Sequence, residues 1–127
     1  MPFEVIETRD APSAIGTYSQ ALRSGSLLFV SGQIPLDPIT MTMQPADARI
    51  QIAQVFDNLE AVIRAGGGDL SRIVKLSVFL TDLTHFPLVN EIMGQRFHKP
   101  YPARSAVGVA ALPRGALVEM DAIVDLG

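Results

Sequence analysis

Apolar residues recur at every third or fourth position in two stretches of the chain. The first stretch covers residues 46–65 and precedes three consecutive glycines, so it predicts an amphipathic helix with a glycine terminator. The second follows Asp82 and Thr84, either of which can cap a helix, and it stops before Pro100 and Pro102. The chain is therefore expected to contain two helices, each with one apolar face.

Alternation of apolar and polar positions predicts strands in the rest of the chain. Two nearby prolines, at 35 and 38, force a turn after the second strand, and a brief return strand is expected to follow. The predicted strands cover residues 3–7, 27–33, 41–43, 73–80, 104–110 and 117–125. The resulting order, βββαβαββ, describes a single α+β domain over residues 1–127, with both helices on one face of the sheet.

The predicted strands are apolar on both faces. Val107 and Val109 alternate with alanine and glycine rather than with charged residues, and the last strand carries Leu117 and Ile123 opposite its core positions. Two helices can cover only one face, and an uncovered apolar sheet face usually marks an association surface. Charged residues make up only 18% of the chain, against about 25% in typical domains. Both observations predict a homo-oligomer.

The composition excludes several classes of site and of partner. The chain has no cysteine, so disulfides, thiolate metal sites and cysteine nucleophiles are excluded. A net charge of -3 and the lack of a basic cluster argue against nucleic acid as the main partner. The first residues do not resemble a secretory signal, and no apolar run is long enough to span a bilayer. These features predict a cytoplasmic protein without a membrane segment.

Arg104 is the only charged residue between Tyr101 and Leu112, and its neighbours are small or apolar. A guanidinium in such surroundings needs a carboxylate or a phosphate to pair with its planar set of donors. An internal ion pair and a bound anion explain it equally well. If the last two strands form a hairpin, the candidate partner Glu119 lies opposite a residue near Val109, about 16 Å along the strand from Arg104. A ligand or a neighbouring subunit would then supply what each group lacks.

Three further patterns indicate structure rather than chemistry. His85 and His98 lack the spacing of a metal-binding pair and lie at predicted helix ends, where capping or solvation explains them. The three glycines follow a helix and lack the lysine of a phosphate-binding loop. Ser31 and Gly32 follow an apolar strand outside the G-x-S-x-G pattern of hydrolase nucleophiles. These residues predict no metal site, no nucleotide site and no serine nucleophile.

The segment Pro-Ala-Arg-Ser-Ala-Val-Gly-Val-Ala-Ala-Leu at 102–112, followed by Val-Glu-Met at 118–120, resembles the signature of a known family. The family is that of the Rid proteins, the reactive intermediate deaminases, also called the YjgF family. Further segments resemble it in the same order, so the likeness covers nearly the whole chain. They lie at 14–20, 31–35, 56–59 and 74–83.

The resemblance implies a chorismate-mutase-like α+β fold with a mixed sheet, and a homotrimer with ligand clefts between its subunits. Members of the family hydrolyse 2-imino acids and their enamine tautomers, such as 2-aminoacrylate, to 2-keto acids and ammonia. A protonated imine is already electrophilic at C2, so no metal or organic cofactor is expected. Carried over by position, Arg104 would clamp the substrate carboxylate and Glu119 would hold the attacking water. The other residues implied to line the pocket are Tyr18, Ser31, Gly32, Asn90 and the backbone of Ala106.

Two departures from the family pattern affect this expectation. Thr17 stands where the family usually has proline, which would loosen the loop that carries Tyr18. Ala106 stands where many members have cysteine, so no thiol-dependent activity is expected. Two other functions stay open: a non-catalytic module that binds a small carboxylate through the same arginine, and an endoribonuclease, an activity assigned to some relatives. Retention of Glu119 favours turnover, and the negative net charge argues against RNA.

Overall fold

A computed structural model describes residues 2–127, and Met1 lies outside it. Six strands and two α-helices follow one another along these residues. Their bounds are β1 Phe3–Ile6, β2 Ala21–Ser24, β3 Leu27–Gln33, α1 Ala48–Ala65, β4 Ile73–Leu80, α2 Phe86–Arg96, β5 Ala103–Gly108 and β6 Val118–Asp125. No helix in this part of the chain has both the length and the apolar character needed to span a bilayer.

All six strands join one sheet in the order β1-β2-β3-β6-β4-β5. β5 runs parallel to β4, and every other neighbouring pair is antiparallel. Alternate residues of the central strands are buried in one core with the apolar side chains of α1 and α2. The mixed sheet with two helices confirms the predicted α+β fold class.

The helix α1 begins and ends at residues that cap it. The Asp47 side chain accepts a hydrogen bond from the backbone nitrogen of Ile50 at 3.1 Å. Gly66 ends the helix, and Gly67 follows with a φ of 95°, a left-handed conformation that glycine adopts without strain. Phe56 is fully buried, and the helix packs on β3 and β6. The predicted glycine terminator is confirmed.

Two buried amides on α1 hold the segments that lead into the sheet. The Asn58 side chain donates to the backbone oxygen of Ile34 at 3.1 Å, just after β3. The Gln51 side chain accepts from the backbone nitrogen of Leu117 at 2.9 Å, just before β6. Because a buried backbone group without a partner is costly, the Asn58 bond stabilises the exit from β3 and the Gln51 bond stabilises the entry to β6. The Gln51 bond thereby helps to position Glu119, the second residue of β6.

The return strand predicted at 41–43 is wrong. The only described pairing in this region is an isolated bridge between Leu36 and Met43. The Asp37 carboxylate accepts hydrogen bonds from the backbone nitrogens two and three residues further on, at 2.8 and 3.0 Å, and so closes a tight turn. The strand that completes the predicted order is β2, which was not predicted and which pairs with both β1 and β3.

The predicted hairpin between the last two strands is also wrong, because β4 lies between β5 and β6. The crossover through α2 returns the chain beside β4 in the parallel direction, at the outer edge of the sheet. Arg104 therefore lies opposite Leu76 on one side of β4, and Glu119 lies opposite Phe79 on the other side. The two candidate residues belong to strands that do not touch.

The sheet face away from the helices carries an exposed apolar row. Val5, Leu22 and Phe29 lie opposite one another on β1, β2 and β3, with exposed fractions of 48%, 36% and 44%. Ile123 of β6 continues the row beside Phe29. The prediction of an uncovered apolar sheet face is confirmed for the described residues, and the homo-oligomer that would cover it stays a prediction.

Candidate active site

All but one of the predicted site residues line two separate clefts. The first, the Arg104 cleft, encloses about 440 Å³ and is lined by Asn90, Met93, Gly94, Tyr101, Pro102 and Arg104. The second, the Glu119 cleft, encloses about 420 Å³ and is lined by Ile15, Tyr18, Ser31, Gly32, Ile34, Pro113, Arg114 and Glu119. Ala106 lines neither of the two, and its side chain packs against the core from β5.

Arg104 lies on the helix-covered face of the sheet, where α2 fixes the orientation of its guanidinium. Its Nη1 donates to Asn90 Oδ1 at 2.7 Å and to Met93 Sδ at 3.3 Å. The guanidinium carbon lies 4.8 Å from the ring centroid of Phe86, within the range of a cation–π contact. Its Nε and Nη2 have no acceptor among residues 2–127. The group is thus held with donors left free for a carboxylate.

The side-chain carboxylates of the described chain do not neutralise Arg104. The ion pairs found among residues 2–127 involve Arg49, Arg64 and Arg96 instead. The internal ion pair considered from the sequence is therefore wrong for Arg104. Its guanidinium is thus held by α2 without a carboxylate partner among the described residues.

Glu119 lies on the open face of the sheet, because its neighbours Val118 and Met120 are buried on the helix side. Its half-buried carboxyl group lies over Gly32 of β3, where the register between β3 and β6 shifts. A Cβ at residue 32 would clash with Oε2 of Glu119 and would approach its Cδ to 3.0 Å. Glycine at this position is what gives the carboxyl group its space.

The environment of Glu119 makes it a stronger base than a solvated glutamate. Burial raises the pKa of its carboxyl group above the usual range, and the nearby Asp121 carboxylate raises the pKa further. No basic side chain of the described residues pairs with it to oppose this shift. A carboxylate with a raised pKa is suited to accept a proton from water.

Hydrogen bonds on both sides of Tyr18 anchor the loop that carries it. Ser31 Oγ donates to the backbone oxygen of Ser19 at 2.6 Å. The buried Gln20 side chain accepts from the backbone nitrogen of Thr8 at 2.7 Å and donates to backbone oxygens earlier in the loop. The loop therefore holds Tyr18 beside the Glu119 cleft, although it has Thr17 rather than proline.

In one chain the two clefts cannot act on the same small molecule. Their backbone positions differ by three residues along the strands and by two strand spacings, which together give roughly 14 Å between Arg104 and Glu119. Moreover, Arg104 contacts α2 on one face of the sheet while Glu119 lies on the other face. The Arg104 cleft and the Glu119 cleft of one chain therefore lie on opposite faces of the sheet.

Arg114 was not among the site residues expected from the sequence, because Pro113, Arg114 and Gly115 were interpreted only as a turn. Arg114 lines the Glu119 cleft and has a left-handed φ of 57°. Its Nη1 donates to the backbone oxygen of Met41 at 3.4 Å. The available signal was a basic residue at a turn position that closely precedes Glu119.

The histidines show no arrangement typical of a metal site. No group of three or more His, Asp or Glu side chains within residues 2–127 is placed to hold a metal ion. His85 precedes α2, and its buried Nδ1 has no hydrogen-bond partner among the described residues. Neither His85 nor His98 lines the Arg104 cleft or the Glu119 cleft.

The sequence is similar to a family model and to several known proteins. A family model described as endoribonuclease L-PSP matches residues 8–126. A RutC family protein, y4sK, of Sinorhizobium fredii is 50% identical over 123 residues, which cover 97% of this chain and 98% of that protein. A 2-iminobutanoate/2-iminopropanoate deaminase of Dermatophagoides farinae is 42% identical, with 97% and 96% covered.

The solved structures agree with the sequence relatives. The crystal structure of RidA from the Antarctic bacterium Psychrobacter sp. matches with a TM-score of 0.93 at 45% identity. The match covers 96% of this chain and 98% of that one. The fold, and not only local motifs, is therefore shared.

Proposed function

The chain belongs to the Rid family of reactive intermediate deaminases, and from that premise we propose that it hydrolyses 2-imino acids to 2-keto acids and ammonia. The substrates are 2-imino acids and their enamine tautomers, such as 2-aminoacrylate. One observation carries the proposal: Arg104 is held with free donors beside a cleft and without an internal carboxylate partner. A bidentate pair with the substrate carboxylate satisfies those donors.

Glu119 supplies the base in this proposal. It accepts a proton from a water molecule whose oxygen forms a bond to C2, while the electron pair of the C=N double bond moves to nitrogen. Glu119 then returns the proton to that nitrogen. The C2–N bond breaks, the hydroxyl proton leaves with the ammonia, and the 2-keto acid remains. The raised pKa of the Glu119 carboxyl group favours the first proton transfer.

The proposed reaction needs orientation more than it needs additional reactive groups. A protonated imine already carries an electrophilic C2, so a fixed carboxylate and a held water supply most of what is required. Tyr18, Ser31 and Gly32 line the same cleft as Glu119, which supports a role for them beside the substrate. Asn90 acts by holding Arg104. The backbone role of Ala106 rests on the family resemblance alone, since its side chain packs against the core.

We propose that each working cleft forms between two copies of the chain in a homotrimer. The support is that Arg104 and Glu119 lie on opposite faces of one sheet, too far apart for one small substrate. A head-to-tail ring brings the Arg104 face of one copy against the Glu119 face of the next. The exposed row Val5, Leu22 and Phe29 supplies apolar area that such a ring covers.

Two competing functions make different demands on the site. A non-catalytic carboxylate-binding module needs Arg104 but gives no reason for a desolvated Glu119 beside Gly32. An endoribonuclease, the activity named in the description of the matching family model, needs basic groups for the phosphate backbone. The chain carries ten basic against thirteen acidic residues. The deaminase therefore fits the site better than either alternative.

The proposed function predicts faster decay of a freshly released imine. An amino-acid oxidase generates 2-iminopropanoate from alanine, and semicarbazide traps the imine that has not been hydrolysed. Adding the protein is expected to lower the yield of semicarbazone formed from the imine and to speed ammonia release. An unchanged trapping yield across several amino acids would favour the binding-module alternative.

Clefts formed between copies predict complementation of two inactive variants. Arg104→Ala chains supply Glu119, and Glu119→Ala chains supply Arg104, so a mixed ring contains some intact clefts. With equal amounts and random exchange, about a quarter of the clefts are intact, and about a quarter of wild-type activity should return. The measurement is imine hydrolysis after co-refolding, with each variant refolded alone as the control. No recovery in verified mixed rings would contradict a cleft shared between copies.

A further inference from the structure

Arg114 places an additional positive charge in the Glu119 cleft. The side chain is exposed, and it takes part in none of the ion pairs found among residues 2–127. Its hydrogen bond to the backbone oxygen of Met41 is 3.4 Å long, well beyond the usual 2.9–3.0 Å for such a pair. A bond of that length yields readily to a carboxylate.

The turn itself does not account for an arginine at this position. Arg114 has a φ of 57°, a conformation that favours glycine or asparagine, and Gly115 follows it with a φ of 73°. Met41, which Arg114 contacts, is the other described non-glycine residue with a positive φ, also 57°. Arg114 therefore lines the cleft in a left-handed conformation and contacts a second left-handed residue, and such conformations often accompany function.

Arg114 and Glu119 line one cleft but do not form an ion pair with each other. In the single chain this open cleft has a volume of about 420 Å³, within the range of small-molecule sites. A base and a cation thus border the same space without neutralising each other. The space between them suits a ligand that presents a reacting carbon to one and an anionic end to the other.

We propose that Arg114 forms a second anion-binding subsite, which takes the distal carboxylate of a dicarboxylic 2-imino acid. This inference rests on the proposed function, in which Arg104 of the adjacent copy holds the carboxylate at C1. The bidentate donors of Arg114 then set the preferred length and charge of the substrate side chain. Imines of glutamate and aspartate belong to this class.

The test compares two nascent imines, 2-iminoglutarate from glutamate and 2-iminopropanoate from alanine. Arg114→Gln is expected to lower the ratio of kcat/KM for 2-iminoglutarate to kcat/KM for 2-iminopropanoate by about tenfold, as expected for one lost charge-assisted hydrogen bond. Arg72→Gln is the matched control, because Arg72 is exposed and precedes β4 at the opposite end of the sheet from Arg114. An unchanged ratio in Arg114→Gln would overturn the proposal.

A binding measurement separates this inference from the deaminase proposal. Calorimetry compares 2-oxoglutarate with 2-oxobutanoate, and the wild-type protein is expected to bind the dicarboxylate more tightly. Arg114→Gln should remove that preference, while Arg72→Gln should keep it. If the wild type hydrolyses neither imine but shows this Arg114-dependent preference, the deaminase proposal fails and the subsite stands. Equal affinities in the wild type would overturn the subsite even if imine hydrolysis is observed.

Discussion

Replacement of Arg104 by lysine is expected to lower kcat/KM for imine hydrolysis by about a hundredfold, because lysine cannot form two parallel hydrogen bonds to one carboxylate. Lysine also loses the contacts that orient the side chain, which are the 2.7 Å bond to Asn90 and the position over the Phe86 ring. Steady-state kinetics with nascent 2-iminopropanoate measure the loss.

Arg96 provides a closely matched control for Arg104. Its Nη1 donates to Asp57 Oδ1 at 2.8 Å, and its guanidinium carbon lies 5.8 Å from the Phe56 ring centroid. Like Arg104, Arg96 therefore makes one hydrogen bond to a side chain and one aromatic contact. Unlike Arg104, it lines neither cleft. Arg96→Lys should keep kcat/KM within about twofold of the wild type, as for a surface substitution. An Arg104→Lys variant with near-wild-type kcat/KM would refute the carboxylate clamp.

Replacement of Glu119 by glutamine is expected to lower kcat by about a hundredfold or more, the usual contribution of a general base, with little change in KM. In the wild type, kcat/KM should rise with pH through the raised pKa of Glu119 and level off above it, because only the ionised carboxylate accepts a proton. The residual activity of Glu119→Gln should lack that rise. A variant that loses affinity but keeps kcat would reassign Glu119 to substrate binding.

Stability distinguishes a lost base from a damaged fold in the same variant. The pKa of Glu119 is raised in the folded chain, so its contribution to stability is present in acid and is lost as the pH rises through the folded-state pKa. Glutamine carries no charge at any pH and keeps the shape of the side chain. At neutral pH the melting temperature of Glu119→Gln should therefore be no lower than that of the wild type. In acid the difference between the two melting temperatures should become smaller. A lower melting temperature at neutral pH would indicate that the lost activity comes from misfolding.

Local features of the fold were predictable where one residue type decides the outcome. The helix α1 has apolar residues at one spacing and glycines after it, so both its existence and its end followed from the sequence. The strand β2 was missed because it has only four residues, and its exposed Leu22 and Arg23 give no simple alternation. The strand at 41–43 was predicted wrongly because the prediction did not consider the side chain of Asp37. That side chain accepts two backbone hydrogen bonds and closes a turn just before residue 41.

Six of the seven site residues expected from the sequence line a cleft, but their separation into two clefts was not predicted. Arg104 attracted attention because it is a lone charge among small and apolar residues, and the structure gives it no carboxylate partner within the described chain. The position of Arg104 relative to Glu119 depends on the strand order. The predicted hairpin paired β5 with β6 directly, whereas β4 lies between them and pairs with both. Arg114 was missed because a basic residue between proline and glycine is typical of any surface turn.

Gly32 leaves space for the carboxyl group of Glu119, so the substitutions tolerated at these two positions depend on each other. While Glu119 is present, a side chain at residue 32 would displace its carboxyl group. Selection for activity is therefore expected to remove mutations that enlarge residue 32. Once the glutamate is replaced by a smaller residue, that constraint disappears and position 32 becomes free to drift. Among relatives, a larger residue at the position of Gly32 should therefore mark a lineage that has given up the base, even where the arginine persists.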